Sequence, residues 1–257
     1  MEAMDTRKAI YWRGRLRGAR NSALGDSEGF LPIVQCMERM GNQLAAELGK
    51  NPPGGLSKKL KIIQCMLPGM AKAAGSSSTP GFETLAKLVC RGRNDAVHIG
   101  ATARALTRNA VRLSLLIEDA LMDHAADRIC DYMTPHPVCA EAWQQVGLVR
   151  QTMMEHQFDY LPIRNGADWR VLTSIGIAKF LAGADGKEKW KRLHASIHEA
   201  LKCKTRPLEC SEAVVVPPGK SVACAIKKTE LGQPILVVKS IEEKNRLEGI
   251  VTAFDLL

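Results

Sequence analysis

Long apolar runs are missing from this sequence. The stretch from residue 113 to 117 is typical, already broken by Ser114, and far short of the roughly 18 apolar residues that a membrane-spanning helix needs. The opening Met1-Glu2-Ala3-Met4-Asp5 is acidic, and no apolar stretch of signal-peptide kind follows it. A cytoplasmic protein with no membrane partner is therefore expected. Paired thiols are missing too: the eight cysteines, at 36, 65, 90, 130, 139, 203, 210 and 224, include no CxxC and no metal-ligand spacing. Reduced, mostly buried thiols and no metal site are expected. Glycine-rich phosphate loops of the GxxxxGK[ST] or GxGxxG kind are absent, and Ser76-Ser77-Ser78 has no base beside it. His194 and His198 sit four residues apart, yet no third ligand completes a metal site among Lys191, Arg192 and Lys202, so this segment reads as a solvated linker helix.

What is present has the composition of an ordinary folded protein: 257 residues, 46% hydrophobic and 25% charged, enough for one large or two modest domains. The net charge of +9 points to polyanionic partners, either nucleic acid or free nucleotides. Six basic residues crowd the start: Arg7, Lys8, Arg13, Arg15, Arg17 and Arg20, with Tyr11 and Trp12 among them. Two readings stand for residues 1–29: a solvated basic tail, or a segment that grips RNA phosphates and stacks a base.

Helical periodicity dominates the next hundred residues. Over residues 31–48, Ile33, Met37, Met40, Leu44 and Leu48 recur at gaps of three and four. Asn51-Pro52-Pro53-Gly54-Gly55 breaks the pattern before Leu60, Ile63 and Leu67 resume it. After a second break at residues 75–81, residues 82–90 read as helix. The stripe Leu106, Ala110, Leu113, Ile117, Leu121 marks a long helix over about 94–126. Residues 30–126 are thus expected to form an antiparallel all-α helical bundle.

After Asp127 short β-branched strands alternate with helices, and the order repeats after about 75 residues. One copy opens with Met133-Thr134-Pro135, passes a helix carrying Ala142, Val146, Val149 and Met153, and reaches Tyr160-Leu161-Pro162-Ile163 and Arg170-Val171-Leu172-Thr173. The other has Val214-Val215-Val216-Pro217, a helix through Val222 and Ile226, then Pro234 to Val238 and a closing Gly249-Ile250-Val251-Thr252-Ala253-Phe254-Asp255-Leu256-Leu257.

These motifs resemble a tandem pair of CBS domains, the Bateman module: a Met-Thr-Pro opening, a Leu-Pro strand and a closing Gly-h-h-Thr-x-x-Asp, with h apolar. The resemblance implies repeated β-α-β-β-α units at 127–181 and 207–257, joined by a linker helix at 182–206, with an adenine nucleotide such as AMP, ADP or ATP as regulatory ligand. It also implies a cleft combining Thr252 and Asp255 with Met133, Val138, Phe158 and Asp159. An Asp can accept ribose hydroxyls and a Thr hydroxyl can reach a phosphate; equally, Asp255 can simply cap the last helix. In the first copy Gly176 stands where the Asp belongs and Arg170 where the Gly belongs, which places ribose recognition there in doubt.

Arg93, Asn94 and His98, read as the start of the long helix, resemble the site of HEPN-family ribonucleases. That resemblance implies an HEPN-like helical domain working as a homodimer. His98 would move protons, Arg93 would hold the scissile phosphate and Asn94 would orient it, without metal. The same residues also suit a surface-exposed helix start or a cap network. The expectation is therefore α + α/β architecture: a nucleotide-regulated, metal-independent endoribonuclease. The alternative is a non-catalytic nucleotide sensor whose helical domain binds a protein or RNA.

Overall fold

The computed structural model describes residues 4–26, 29–71, 80–95, 100–125, 127–166, 168–229, 232–241 and 244–256. The chain divides into two compact units, Met1–Ala126 and Asp127–Leu257.

The first unit is all-helical among the described residues. The segment weighed as a basic tail forms α1 (Thr6–Leu24), with the Asp5 side chain accepting from the Arg7 N–H at its start. Its apolar side chains are mostly small and lie one turn apart, so Ala9, Trp12, Leu16 and Ala23 are buried while the arginines occupy the other faces. The expected stripes behave likewise. α2 (Phe30–Glu47) buries Ile33, Met37, Met40 and Leu44. α3 (Leu56–Met66) follows Gly55, whose φ of 79° is open to glycine at little cost. A 3-10 turn at Pro68–Ala71 precedes α4 (Phe82–Asp95) and α5 (Gly100–Met122). Leu106, Ala110, Leu113, Ile117 and Leu121 of α5 are all buried in one cluster with α1 to α4.

Two close contacts set this packing. α2 and α3 approach at Gly41, where an added Cβ would come within 2.5 Å of Lys59 Cβ. The Glu118 carboxylate on α5 is buried and accepts two bonds from Arg20 on α1, both at 3.2 Å, and one from Ser114 at 2.8 Å. A charge buried this deeply persists because it is paired and hydrogen-bonded.

In the second unit the elements are α6 (Ile129–Tyr132), β1 (Thr134–Pro135), α7 (Val146–His156), β2 (Tyr160–Asn165), β3 (Asp168–Thr173), α8 (Ser174–Leu181), α9 (Gly186–His194), α10 (Ile197–Leu201), β4 (Cys210–Glu212), β5 (Val214–Val216), α11 (Val222–Ile226), β6 (Ile235–Ile241), β7 (Lys244–Val251) and α12 (Ala253–Leu256). They form two sheets, β2-β3-β4 and β1-β7-β6-β5.

Each repeat lends its leading piece to the other. β1, from the first repeat, pairs antiparallel with β7 of the second, Thr134 facing Ile250 and Pro135 facing Gly249. β4, from the second, pairs antiparallel with β3 of the first, Ser211 facing Val171 and Glu212 facing Arg170. The short helices match: Ile129 of α6 is buried with Val216, Val237 and Val251, whereas Ile197 of α10 is buried with Val146, Leu161 and Leu172. The segment expected as a linker helix is thus two helices, the second of which completes the first repeat's core.

Strand alternation explains why both sheet faces are apolar. Leu172 on β3 points into the helix-covered core, while its neighbour Val171 meets Leu236, Val238 and Ile250 of the other sheet. The two sheets are further tied by the Trp169 indole N–H, which donates to the Asn245 carbonyl at 3.2 Å.

Candidate ligand site

The exchange of strands carries the opening motif of one repeat to the closing motif of the other. Met133 packs on Gly249: a Cβ at that glycine would collide with the Met133 side chain, so glycine is what lets the two motifs meet. At the end of β7, Asp255 Oδ2 accepts from the Thr252 N–H at 2.6 Å and from the Thr252 hydroxyl at 2.7 Å. Its Oδ1 accepts a longer bond, 3.4 Å, from the Thr134 hydroxyl. Asp255 is 1% exposed. The carboxylate therefore braces the start of α12 against β1, a tie to the other repeat that goes beyond the two expected roles of ribose acceptor and cap for its own helix. Thr134 was not among the expected site residues; its place inside Met-Thr-Pro was the signal available.

The first repeat closes differently. Thr173 Oγ1 accepts from the Gly176 N–H at 2.9 Å. A Cβ on Gly176 would lie 2.8 Å from the Glu209 carbonyl oxygen and 3.0 Å from Thr173 Oγ1, so the backbone leading into β4 fills the space an Asp side chain would need. Asp159 is held here: its carboxylate accepts from the Ser174 hydroxyl at 3.0 Å and its carbonyl from the Ser174 N–H. Phe158 packs partly against the first repeat's core and stacks on His156 at 5.2 Å. Val138 is exposed, two residues before Ala140 bridges to Ile163. Of the six expected ligand residues, then, Met133, Thr252 and Asp255 come together, with Thr134 beside them. Asp159 is bonded at the other closing turn, and Phe158 beside it packs on the first repeat's core.

Of the expected ribonuclease residues, Arg93 and Asn94 lie in the last turn of α4, and residues 96–99, which precede α5, are outside the described residues. Arg93 forms an ion pair of 3.0 Å with Glu38 on α2. The Asn94 side chain and His98 lie outside the described residues. In the basic run, Trp12 is 4% exposed and cannot stack a base, Arg20 is committed to Glu118, and Lys8 pairs with Glu47 at 3.2 Å.

Burial raises the thiols of Cys36 and Cys210 from an ordinary 9.0 to about 11, and raises those of Cys90, Cys130 and Cys139 less. Cys203 moves the other way, because the Thr205 hydroxyl and the backbone N–H groups of Arg206 and Thr205 stabilise its thiolate. Among the described residues no group of three or more His, Cys, Asp or Glu is placed to hold a metal ion, and no helix is long and apolar enough to cross a membrane.

No family model matches the chain, and no curated protein matches it. Several solved structures are similar in part. A CBS domain-containing protein of unknown function from Bacillus anthracis str. Ames Ancestor is 14% identical, covering 50% of this chain and 88% of its own, with a TM-score of 0.40. Protein MJ1225 from Methanocaldococcus jannaschii, proposed as an archaeal homolog of g-AMPK, is 22% identical, covering 55% of this chain and 51% of its own, with a TM-score of 0.40. The cytosolic domain of the Mg2+ channel MgtE in complex with ATP is 16% identical, covering 95% of this chain and 98% of its own, with a TM-score of 0.38. None of the three reaches a TM-score of 0.5, so the reading of the second unit rests on its own motifs and strand pairing.

Proposed function

We propose that the second unit is a CBS-type regulatory pair that senses an adenine nucleotide, and that the helical unit serves it by binding a partner rather than by catalysis. One observation carries the reading: reciprocal exchange of β1 and β4 brings the opening Met133-Thr134 onto the closing Gly249, Thr252 and Asp255. Two repeats that complete each other's sheets make a single unit with one turn of this kind intact. The Asp255 carboxylate is the acceptor for ribose hydroxyls, and the long bond from Thr134 is the one a ligand displaces. The chain is expected to act as a homodimer, the commonest closed assembly. The endoribonuclease reading draws less support, since Arg93 is engaged by Glu38.

Titration calorimetry with AMP, ADP, ATP, S-adenosylmethionine and cyclic dinucleotides tests the assignment. At least one adenine ligand is expected to bind the wild type. Asp255→Asn, which keeps the shape but removes the charge, is expected to bind it about ten- to a hundredfold more weakly, the value of one or two charge-assisted hydrogen bonds. Failure of every adenine ligand, or equal affinity in the variant, would reject the site.

A further inference from the structure

The helical unit holds a groove that neither the fold nor the nucleotide reading uses. It lies between α1 and α2, has a volume of about 300 Å³, and is bounded by Arg15 and Ser22 on one helix and by Gln35 and Arg39 on the other. None of its lining residues is acidic. Among the described residues neither the Arg15 nor the Arg39 side chain makes an ion pair or a hydrogen bond, unlike those of Arg20, Arg93 and Lys8 nearby on the same helices or against them. Both guanidiniums are close enough to the buried Cys36 thiol to pull its pKa down against the larger upward push of burial. Their fields thus overlap in one place. Two like charges across one groove repel each other, and an anion between them would reverse the sign of that interaction.

We propose that this groove binds a small phosphorylated ligand, with the Arg15 and Arg39 guanidiniums clamping the phosphate from opposite sides. Planar guanidinium donors match phosphate oxygens in paired bonds. The Gln35 amide and Ser22 hydroxyl add neutral polar groups for the rest of the molecule. Above Gly14 and Gly18 a Cβ would meet nothing within 4 Å, so the backbone of α1 leaves room for the ligand's body. A volume near the lower end of ligand pockets suits a sugar phosphate better than a polymer.

Calorimetry in phosphate-free buffer, on the full chain, tests this with four probes: ribose 5-phosphate, inorganic phosphate, ribose and a single-stranded RNA oligonucleotide. None of the first three contains adenine, so their binding stands or falls separately from the nucleotide reading of the second unit. Ribose 5-phosphate and phosphate are expected to bind the wild type and ribose is not. Arg15→Gln and Arg39→Gln are each expected to weaken ribose 5-phosphate by about ten- to a hundredfold, with an unchanged circular dichroism spectrum. In the absence of anion, either variant is expected to melt at the wild-type temperature or above it, because one of two repelling charges is gone. Equal affinity in both variants, no binding of either phosphorylated probe, or an effect of the variants on RNA alone would each overturn the proposal.

Discussion

At the scale of single residues, buried groups set the testable chemistry. Cys36 keeps its proton in the fold up to about pH 11, whereas an exposed thiol ionises near 9.0. Between those values the unfolded state has released a proton that the fold retains. Stability contributed by this thiol is therefore intact below pH 9 and is lost as pH rises toward 11, with a slope of at most about 1.4 kcal/mol per pH unit. Urea unfolding at pH 8 and pH 10 is expected to show a smaller alkaline loss in Cys36→Ala than in the wild type; identical losses would remove Cys36 from the account. The same physics ranks reactivity. At pH 8 an aromatic disulfide reagent is expected to modify exposed Cys65 and the thiolate-favouring Cys203 well before Cys36 or Cys210, as read by peptide mass spectrometry. Arg20 gives a third case. Arg20→Ala leaves the Glu118 carboxylate buried without its bidentate partner, and a loss of roughly 3 kcal/mol in unfolding free energy is expected. At this scale the sequence displayed Gly249, Thr252 and Asp255 as a motif, and it showed Gly176 as a departure. What it could not display was the reason for the departure, because the Glu209 carbonyl that occupies the space comes from a segment more than thirty residues away.

At the scale of elements, legibility followed the size of the buried side chains. The stripes of α2 and α5 are made mostly of Ile, Leu and Met and stood out against polar neighbours. α1 uses Ala9, Trp12, Leu16 and Ala23 among six basic residues, so its apolar face is nearly silent in hydropathy although its burial is equally complete. The exchange of β1 and β4 was invisible because pairing between strands distant in sequence leaves no periodicity in either one. Close approach of elements also gives a prediction. At Gly41 a methyl group would strike Lys59 on α3, and helix propensity alone would favour alanine by about 1 kcal/mol. If the contact dominates, Gly41→Ala is expected to cost a net 1–3 kcal/mol, the usual range for overpacking at about this size. Gly18→Ala, in the middle of α1 with nothing within 4 Å, is expected to stabilise by about 0.5–1 kcal/mol. Shifts of opposite sign measured by urea unfolding would support both assignments, and stabilisation by both variants would remove the Gly41–Lys59 contact from the account.

At the scale of the whole molecule, the chain builds its cores separately, one in Met1–Ala126 and the others in Asp127–Leu257. Of the four tryptophans, Trp12 alone belongs to the first unit, while Trp143, Trp169 and Trp190 belong to the second. Trp12 is buried, and among the described residues its indole N–H has no hydrogen-bond partner. Replacing it with Phe removes an unsatisfied donor along with some apolar contact, so Trp12→Phe is expected to fold and to cost less than the loss of a fully bonded tryptophan. Its fluorescence then reports on the second unit only. A ligand that binds only the native state raises apparent stability by RT ln(1 + [L]/Kd), about 2.7 kcal/mol at a hundredfold excess over Kd. An adenine nucleotide at that excess is therefore expected to raise the melting temperature seen by fluorescence in Trp12→Phe by several degrees, and ribose 5-phosphate at the same excess is expected to leave it in place. The two ligands address different units in this account. A nucleotide that leaves the fluorescence transition unmoved, while calorimetry shows it bound, would place its site in the helical unit and remove Asp255 from the recognition of ribose.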